Sequence, residues 1–213
     1  VTLTRSTLMA KLEDGTELKG EAAIGGRRER LDVNIDYIWL EPKAYVYPPV
    51  LDAIAQADAI VLGPGDIYTS VLPNLLVGDV ASAITASRAV KIHVCNLTTM
   101  PAESRNLKAS GFVKLLQAYL GTEDPLDYLI VNDSPMPERV VQRYSAVGQY
   151  PVALDLEECR LVVREVVRWP VLASGVYLRH DPHSLARAIM DAVNRPAAAS
   201  RPAGVSQASG SRG

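Results

Sequence analysis

The sequence predicts an α/β fold: a Rossmann-like, mostly parallel sheet with helices on both faces, plus a small antiparallel β unit near the N-terminus. Three observations predict it. The short apolar runs "AIVLG", "VKIHVCN" and "DYLIVND" have the unbroken character of strands covered on both faces. Segments of helical period separate them, which implies right-handed crossovers. Residues 1–45 lack that alternation and carry an Asp-Gly turn and period-2 patterning instead.

In order, Leu8–Leu12, the turn "EDGTE" and Leu18–Ile24 read as a hairpin, with Asp14-Gly15 at the bend. "LDVNIDYIWLEP" sets Leu31, Val33 and Ile35 against Asp32, Asn34 and Asp36, a half-buried strand that Pro42 ends. "PPVLDAIAQADA" and "GDVASAITASRA" flank "AIVLG" as helices. "ESRNLKASGFVKLLQAYLG" reads as one long helix capped by Gly121. "MPERVVQRYSAVG" is a helix, while "YPVALD" and "CRLVVREVVRW" read as strands. "DPHSLARAIMDAVN" is the last helix, with Asp181 as N-cap and Pro182 at its first position. These elements make one α/β domain over residues 1–194. The tail 195–213, "RPAAASRPAGVSQASGSRG", is expected to be disordered, because Ala, Ser, Gly and Pro cannot bury a core.

Composition narrows the function classes. Apolar residues at 48% and charged residues at 22% suit a soluble chain, and the net charge of −2 gives no basic footprint for nucleic acid. The dense cluster Arg27, Arg28, Arg30 encloses Glu29 and reads as a solvated loop. Cys95 and Cys159 stand far apart in apolar runs, as reduced buried thiols would, and a cytoplasmic location is expected. No apolar stretch is long enough for a membrane span, and no signal peptide is read.

In open parallel sheets ligands sit beyond the carboxyl ends of the strands. "GPGDIYTS" follows the first such strand. Gly63 and Gly65 let main-chain amides approach an anion, and Thr69 and Ser70 offer hydroxyls. Asp66 suits a sugar hydroxyl or a turn cap. "NLTTMPAESR" and "NDSPMPER" place further small polar residues after the next two strands. The alternative for each loop alone is an ordinary turn; their convergence favours a binding site. The loop is neither a Walker loop nor a GxGxxG fingerprint. His180 and His183 lack a third ligand, so no metal site is read, and His93 reads as a satisfied core histidine. No catalytic residue is assigned, since Ser70 has no histidine near it in sequence.

"ADAIVLGPGDIYTSVLPNLLV" resembles the most recognisable block of the YvcK/CofD-like family, AD-x-IVLGPGSLYTS-x-x-PNLLV, with Asp66 where Ser is common. "VCNLTTMPAES" is similar to a second block, often YVCNLMTQPGET, and departs at Thr99, Met100, Ala102 and Ser104. "VYLRHDPHSLARAI" resembles a closing Arg-His-Asp segment. The likeness covers the later two-thirds of a family member. The family's opening GGGTG strand and Asp-Asp-Gly-Gly segment do not occur in this sequence.

The YvcK side of the family resembles the chain better. This implies a nucleotide-sugar-binding protein of the UDP-N-acetylglucosamine type, regulating central carbon metabolism during gluconeogenic growth, and cell shape. The resemblance implies a ligand site of Gly63, Gly65, Asp66, Tyr68, Thr69, Ser70 and Asn74, with Asn96 and Thr98 from the second loop. It also implies Tyr144 stacked on the uracil, with Tyr150 as the competing position, and Arg179 on the diphosphate. Pro73-Asn74 alternatively shapes the helix start. The nucleotide sugar is the expected small-molecule partner, alongside protein partners or a homodimer. One alternative is the CofD-like 2-phospho-L-lactate transferase of coenzyme F420 synthesis, which alone would need Mg2+. The other is a non-catalytic protein-interaction module.

Overall fold

The computed structural model describes residues 1–124 and 126–195; the tail expected to be disordered lies, beyond Arg195, outside them. Two sheets organise the chain. The first is antiparallel, in the order β2 (Glu17–Lys19), β1 (Thr7–Leu12), β3 (Ile35–Glu41). The second is parallel, in the order β4 (Ala59–Leu62), β5 (Val90–Val94), β6 (Leu126–Asn132), β7 (Val163–Trp169).

The antiparallel unit differs from the expected hairpin in two places. Gly20, at φ 87°, ends β2 and starts the short helix α1 (Glu21–Gly25), so Ile24 is buried from a helix. Residues 31–34 form a turn, and β3 begins only at Ile35. The register of β1 on β3 shifts between Lys11 and Leu12, which pairs Leu12 with Ile35 and Lys11 with Tyr37. Asp36 is the extra residue of this bulge, and it breaks the alternation on which the sequence reading relied.

Around the parallel sheet lie α2 (Pro48–Gln56), a single π-turn (Ile67–Val71) running into α3 (Leu72–Leu75), and α4 (Val80–Ala86). Next come α5 (Ala109–Leu120), α6 (Glu138–Ser145), α7 (Leu156–Val162) and α8 (Pro182–Asn194). Helices cover both faces. Ile92, Val94, Ile130 and Val167 pack with Ala188 and Ala192 of α8. Leu129, Val131 and Val163 pack on the other face with Phe112, Val113 and Leu116 of α5. The caps follow local chemistry: Asp181 accepts the Ser184 amide at 2.7 Å, and Gly121 closes α5 at φ 68°.

Four expectations are corrected. β4 is an edge strand among the described residues, paired only with β5, and Val61 is 40% exposed rather than covered on both faces. "YPVALD" makes no strand, only an isolated bridge from Pro151 to Thr98, and Cys159–Val162 is helical before β7 begins. The long helix starts at Ala109; residues 103–108 stay outside it because Glu103 is drawn to partners far upstream. No single helix among the described residues is long and apolar enough to cross a membrane.

Candidate functional site

At the carboxyl ends of β4 and β5 an open cleft of about 290 Å3 is walled by Pro64–Asp66, Asn96–Thr98, Met100 and Leu178–His180. Each wall has a local cause. Gly63 turns the chain out of β4 at φ 81°, where a Cβ would lie 3.3 Å from the Val94 carbonyl oxygen, so glycine alone fits comfortably. Asn96 then fastens the turn. Its Nδ2 donates to the Gly65 carbonyl at 2.9 Å, and its Oδ1 accepts the Gly65 amide at 3.3 Å. The third wall returns after β7. The Ala173 amide donates to the Arg179 carbonyl at 2.8 Å and the Asp181 amide to the Val171 carbonyl at 2.7 Å.

Beneath the turn lies Glu103, which the sequence places among the polar residues of the second loop without a role of its own. The Glu103 carboxylate is 8% exposed and accepts three hydrogen bonds. Oε2 takes the amides of Tyr68 at 2.8 Å and Thr69 at 3.2 Å, while Oε1 takes the Thr69 hydroxyl at 2.7 Å. It caps the π-turn as an N-terminal carboxylate does, with partners 34 and 35 residues away. Burial pushes its carboxyl upward, against the lowering effect of those hydrogen bonds.

The cation and acid of the cleft have opposite settings. Arg179 is exposed at the rim, while partial burial pushes the Asp66 carboxyl above the usual range. His180 also lines the cleft, with Nε2 at 3.2 Å from the Cys95 carbonyl. A carbonyl only accepts, so Nε2 carries the proton and Nδ1 is left as an acceptor. Burial lowers the His180 pKa and favours the neutral ring. Arg179 supplies donors, Thr98 a hydroxyl, and Asp66 and His180 acceptors. That set suits a ligand with an anionic end and several hydroxyls.

Residues 1–172 match the family model described as 2-phospho-L-lactate transferase CofD. The chain belongs to the YvcK/CofD-like family. The Bacillus subtilis gluconeogenesis factor is 33% identical over 186 residues, 86% of this chain and 57% of that protein. A relative from Thermoanaerobacterium thermosulfurigenes is 40% identical over 192 residues, 89% of this chain and 59% of that one. The crystal structure of a UPF0052-family protein from Bacillus halodurans superposes with a TM-score of 0.81 at 30% identity, covering 89% of this chain and 60% of that one. The chain thus spans less than two thirds of the length of these relatives.

In this YvcK/CofD-like chain the cleft gathers Gly65, Asp66, Asn96, Thr98 and Arg179, and Gly63 forms the bend behind them, but the Gly65 amide expected to face an anion is taken by Asn96 Oδ1. The other expected ligand residues stand elsewhere. Tyr68 is 7% exposed, and its hydroxyl points to the Ile35 carbonyl, so its ring belongs to the core. The amides of Tyr68 and Thr69 and the Thr69 hydroxyl are engaged by Glu103, which removes them from an anion nest. Ser70 and Asn74 face a separate apolar groove along β4. Asn74 Nδ2 donates to the Ser70 carbonyl at 2.8 Å, which is the helix-shaping role. Tyr144 is half-buried beside the third wall, and its hydroxyl accepts the Leu178 amide at 3.2 Å. Tyr150 is half exposed. The loop after β6 lines a neighbouring pocket of about 280 Å3, which shares Asn96 and Leu97 with the cleft.

His93 is only half satisfied. Nδ1 lies 2.8 Å from the Leu62 carbonyl, but the buried Nε2 has no partner. Among the described residues no three of His, Cys, Asp or Glu are grouped to hold a metal ion. A larger cavity of about 430 Å3 opens at the amino ends of the strands. Two of its cations are already used: Arg164 pairs with Asp127 at 2.9 Å, and Lys91 Nζ donates to the Ser87 carbonyl at 2.7 Å. The cleft at the carboxyl ends keeps its Arg179 guanidinium free of any ion pair among the described residues.

Proposed function

We propose that this chain is the nucleotide-sugar-binding part of a gluconeogenesis-factor-type regulator, taking a ligand of the UDP-N-acetylglucosamine type without turning it over. The observation that carries the reading is the placement of Arg179 opposite the Gly65 and Asp66 turn, across a cleft at the carboxyl ends of a parallel sheet. Arg179 grips the diphosphate through a bidentate fork, and Asp66 accepts a sugar hydroxyl. Occupancy reports sugar supply to gluconeogenic growth and cell shape, in the cytoplasm. The names of the relatives support the first of these roles.

Calorimetric titration of the chain with UDP-N-acetylglucosamine tests the proposal. Saturable binding that Arg179→Ala weakens by about 1.5–3 kcal/mol supports it. Silence at millimolar ligand removes it. The family model's own description favours a second reading, a transferase acting on a nucleotide-activated donor. Product formed from the deazaflavin acceptor and its donor would decide for that one.

A further inference from the structure

Arg179 is not alone at the rim. Its Cζ lies 5.4 Å from the centroid of the Tyr177 ring, and the Cζ of Arg143 lies 5.5 Å from the same centroid. Arg143 also stands 6.0 Å from the centroid of Tyr144. α6 delivers Arg143 there because the adjacent Tyr144 is tied to the Leu178 amide, one residue before Arg179. Tyr177 is 59% exposed, so the ring and both guanidiniums stand at the surface rather than in the core.

Among the described residues neither Arg143 nor Arg179 has a carboxylate within ion-pair distance; the arginines that do are Arg30, Arg160, Arg164, Arg168 and Arg195. Two uncompensated guanidiniums held near one ring repel each other. The ring's negative face offsets part of that cost, and a dianion bound at this rim would offset more of it. Arginine suits this use because its planar fork matches phosphate oxygens and its face stacks on an aromatic ring.

We propose that Arg143, at the rim beside the cleft, is a second anion-gripping residue, and that Tyr177 is the positioning residue that holds it near Arg179. The anion is a diphosphate, as in the nucleotide sugar of the preceding proposal, on which this one rests. The two cations share it, one from α6 and one from the segment after β7.

The test is titration of the chain with UDP-N-acetylglucosamine at low and moderate salt, and with inorganic pyrophosphate as a competing probe. Arg143→Gln is expected to weaken nucleotide-sugar binding about tenfold and to flatten its salt dependence. Arg143→Lys restores the charge without the fork and falls between the two. Tyr177→Phe keeps the ring and binds as wild type, whereas Tyr177→Leu weakens binding towards the Arg143→Gln value. A role for Tyr177 in loop stability alone would not change the salt dependence. If wild type binds, Arg179→Ala weakens that binding, and Arg143→Gln binds unchanged at both salt concentrations, the second grip is overturned while the nucleotide-sugar reading stands. If wild type ignores the nucleotide sugar yet binds pyrophosphate through Arg143, the grip stands and that reading falls. Binding of neither probe overturns both.

Discussion

Thr69 donates its hydroxyl to Glu103 at 2.7 Å, and the other oxygen of that carboxylate takes the Tyr68 and Thr69 amides. One buried side chain thus fixes the start of the π-turn that follows the cleft's first wall. Removing it by Glu103→Ala strands two amides, and we expect a loss of about 3 kcal/mol in urea unfolding. Glu103→Gln keeps one acceptor oxygen and should cost less than half of that. Equal losses for the two variants would show that volume, not hydrogen bonding, matters there.

The same carboxyl sets a pH dependence. Burial raises its folded pKa above the ordinary 4.5, so the folded state keeps a proton that the unfolded chain has released. Relative to Glu103→Gln, wild-type stability should therefore fall as pH climbs from 4.5 through the raised value. A difference that grows with pH over that window would contradict the assignment.

Gly25 of α1 packs directly on this carboxylate. A Cβ there would lie 2.7 Å from Glu103 Oε1. Gly25→Ala should cost about 1–3 kcal/mol, and much less in the Glu103→Ala background, where the space is open. Additive losses in the double-mutant cycle would uncouple the two residues.

His93 is fully buried, and its pKa drops from 6.5 to about 4. The unfolded chain takes up a proton that the folded ring refuses, so acid favours unfolding. The neutral ring's contribution is complete above pH 6.5 and is lost as pH falls towards 4, a change of about 3 kcal/mol. His93→Gln should flatten the urea midpoint across that window. A profile as steep as wild type would assign the acid sensitivity elsewhere.

Asn96 holds both the amide and the carbonyl of Gly65. Asn96→Asp turns a donor into a second acceptor facing the Gly65 carbonyl. The turn should open, and nucleotide-sugar affinity should fall about tenfold, or 1.4 kcal/mol, while the urea midpoint changes little. Unchanged affinity would place the ligand away from this turn.

The legibility of these features depended on how far away each residue's partner lies. Asp181 and Gly121 were readable because their partners are a few residues distant. Glu103 was not: nothing in "PAESRNLK" reveals that its carboxylate will be taken by amides 34 and 35 residues upstream, and the stretch reads as helix. Tyr68 sits in a glycine-rich polar loop, yet the π-turn rotates its ring into the core. Val61 has the company of a central strand, and only the sheet order among the described residues puts it on an edge. Arg143 and Tyr177 are 34 residues apart in sequence, and the tie between Tyr144 and Leu178 joins their segments.

Mapping amide chemical shifts of the labelled chain on addition of UDP-N-acetylglucosamine tests the placement of the site most directly. The expected shifts cluster at Gly65–Asp66, Asn96–Thr98 and Leu178–His180. Shifts centred on Arg88, Lys91 and Arg164 at the opposite end of the sheet, or none at saturating ligand, would contradict it.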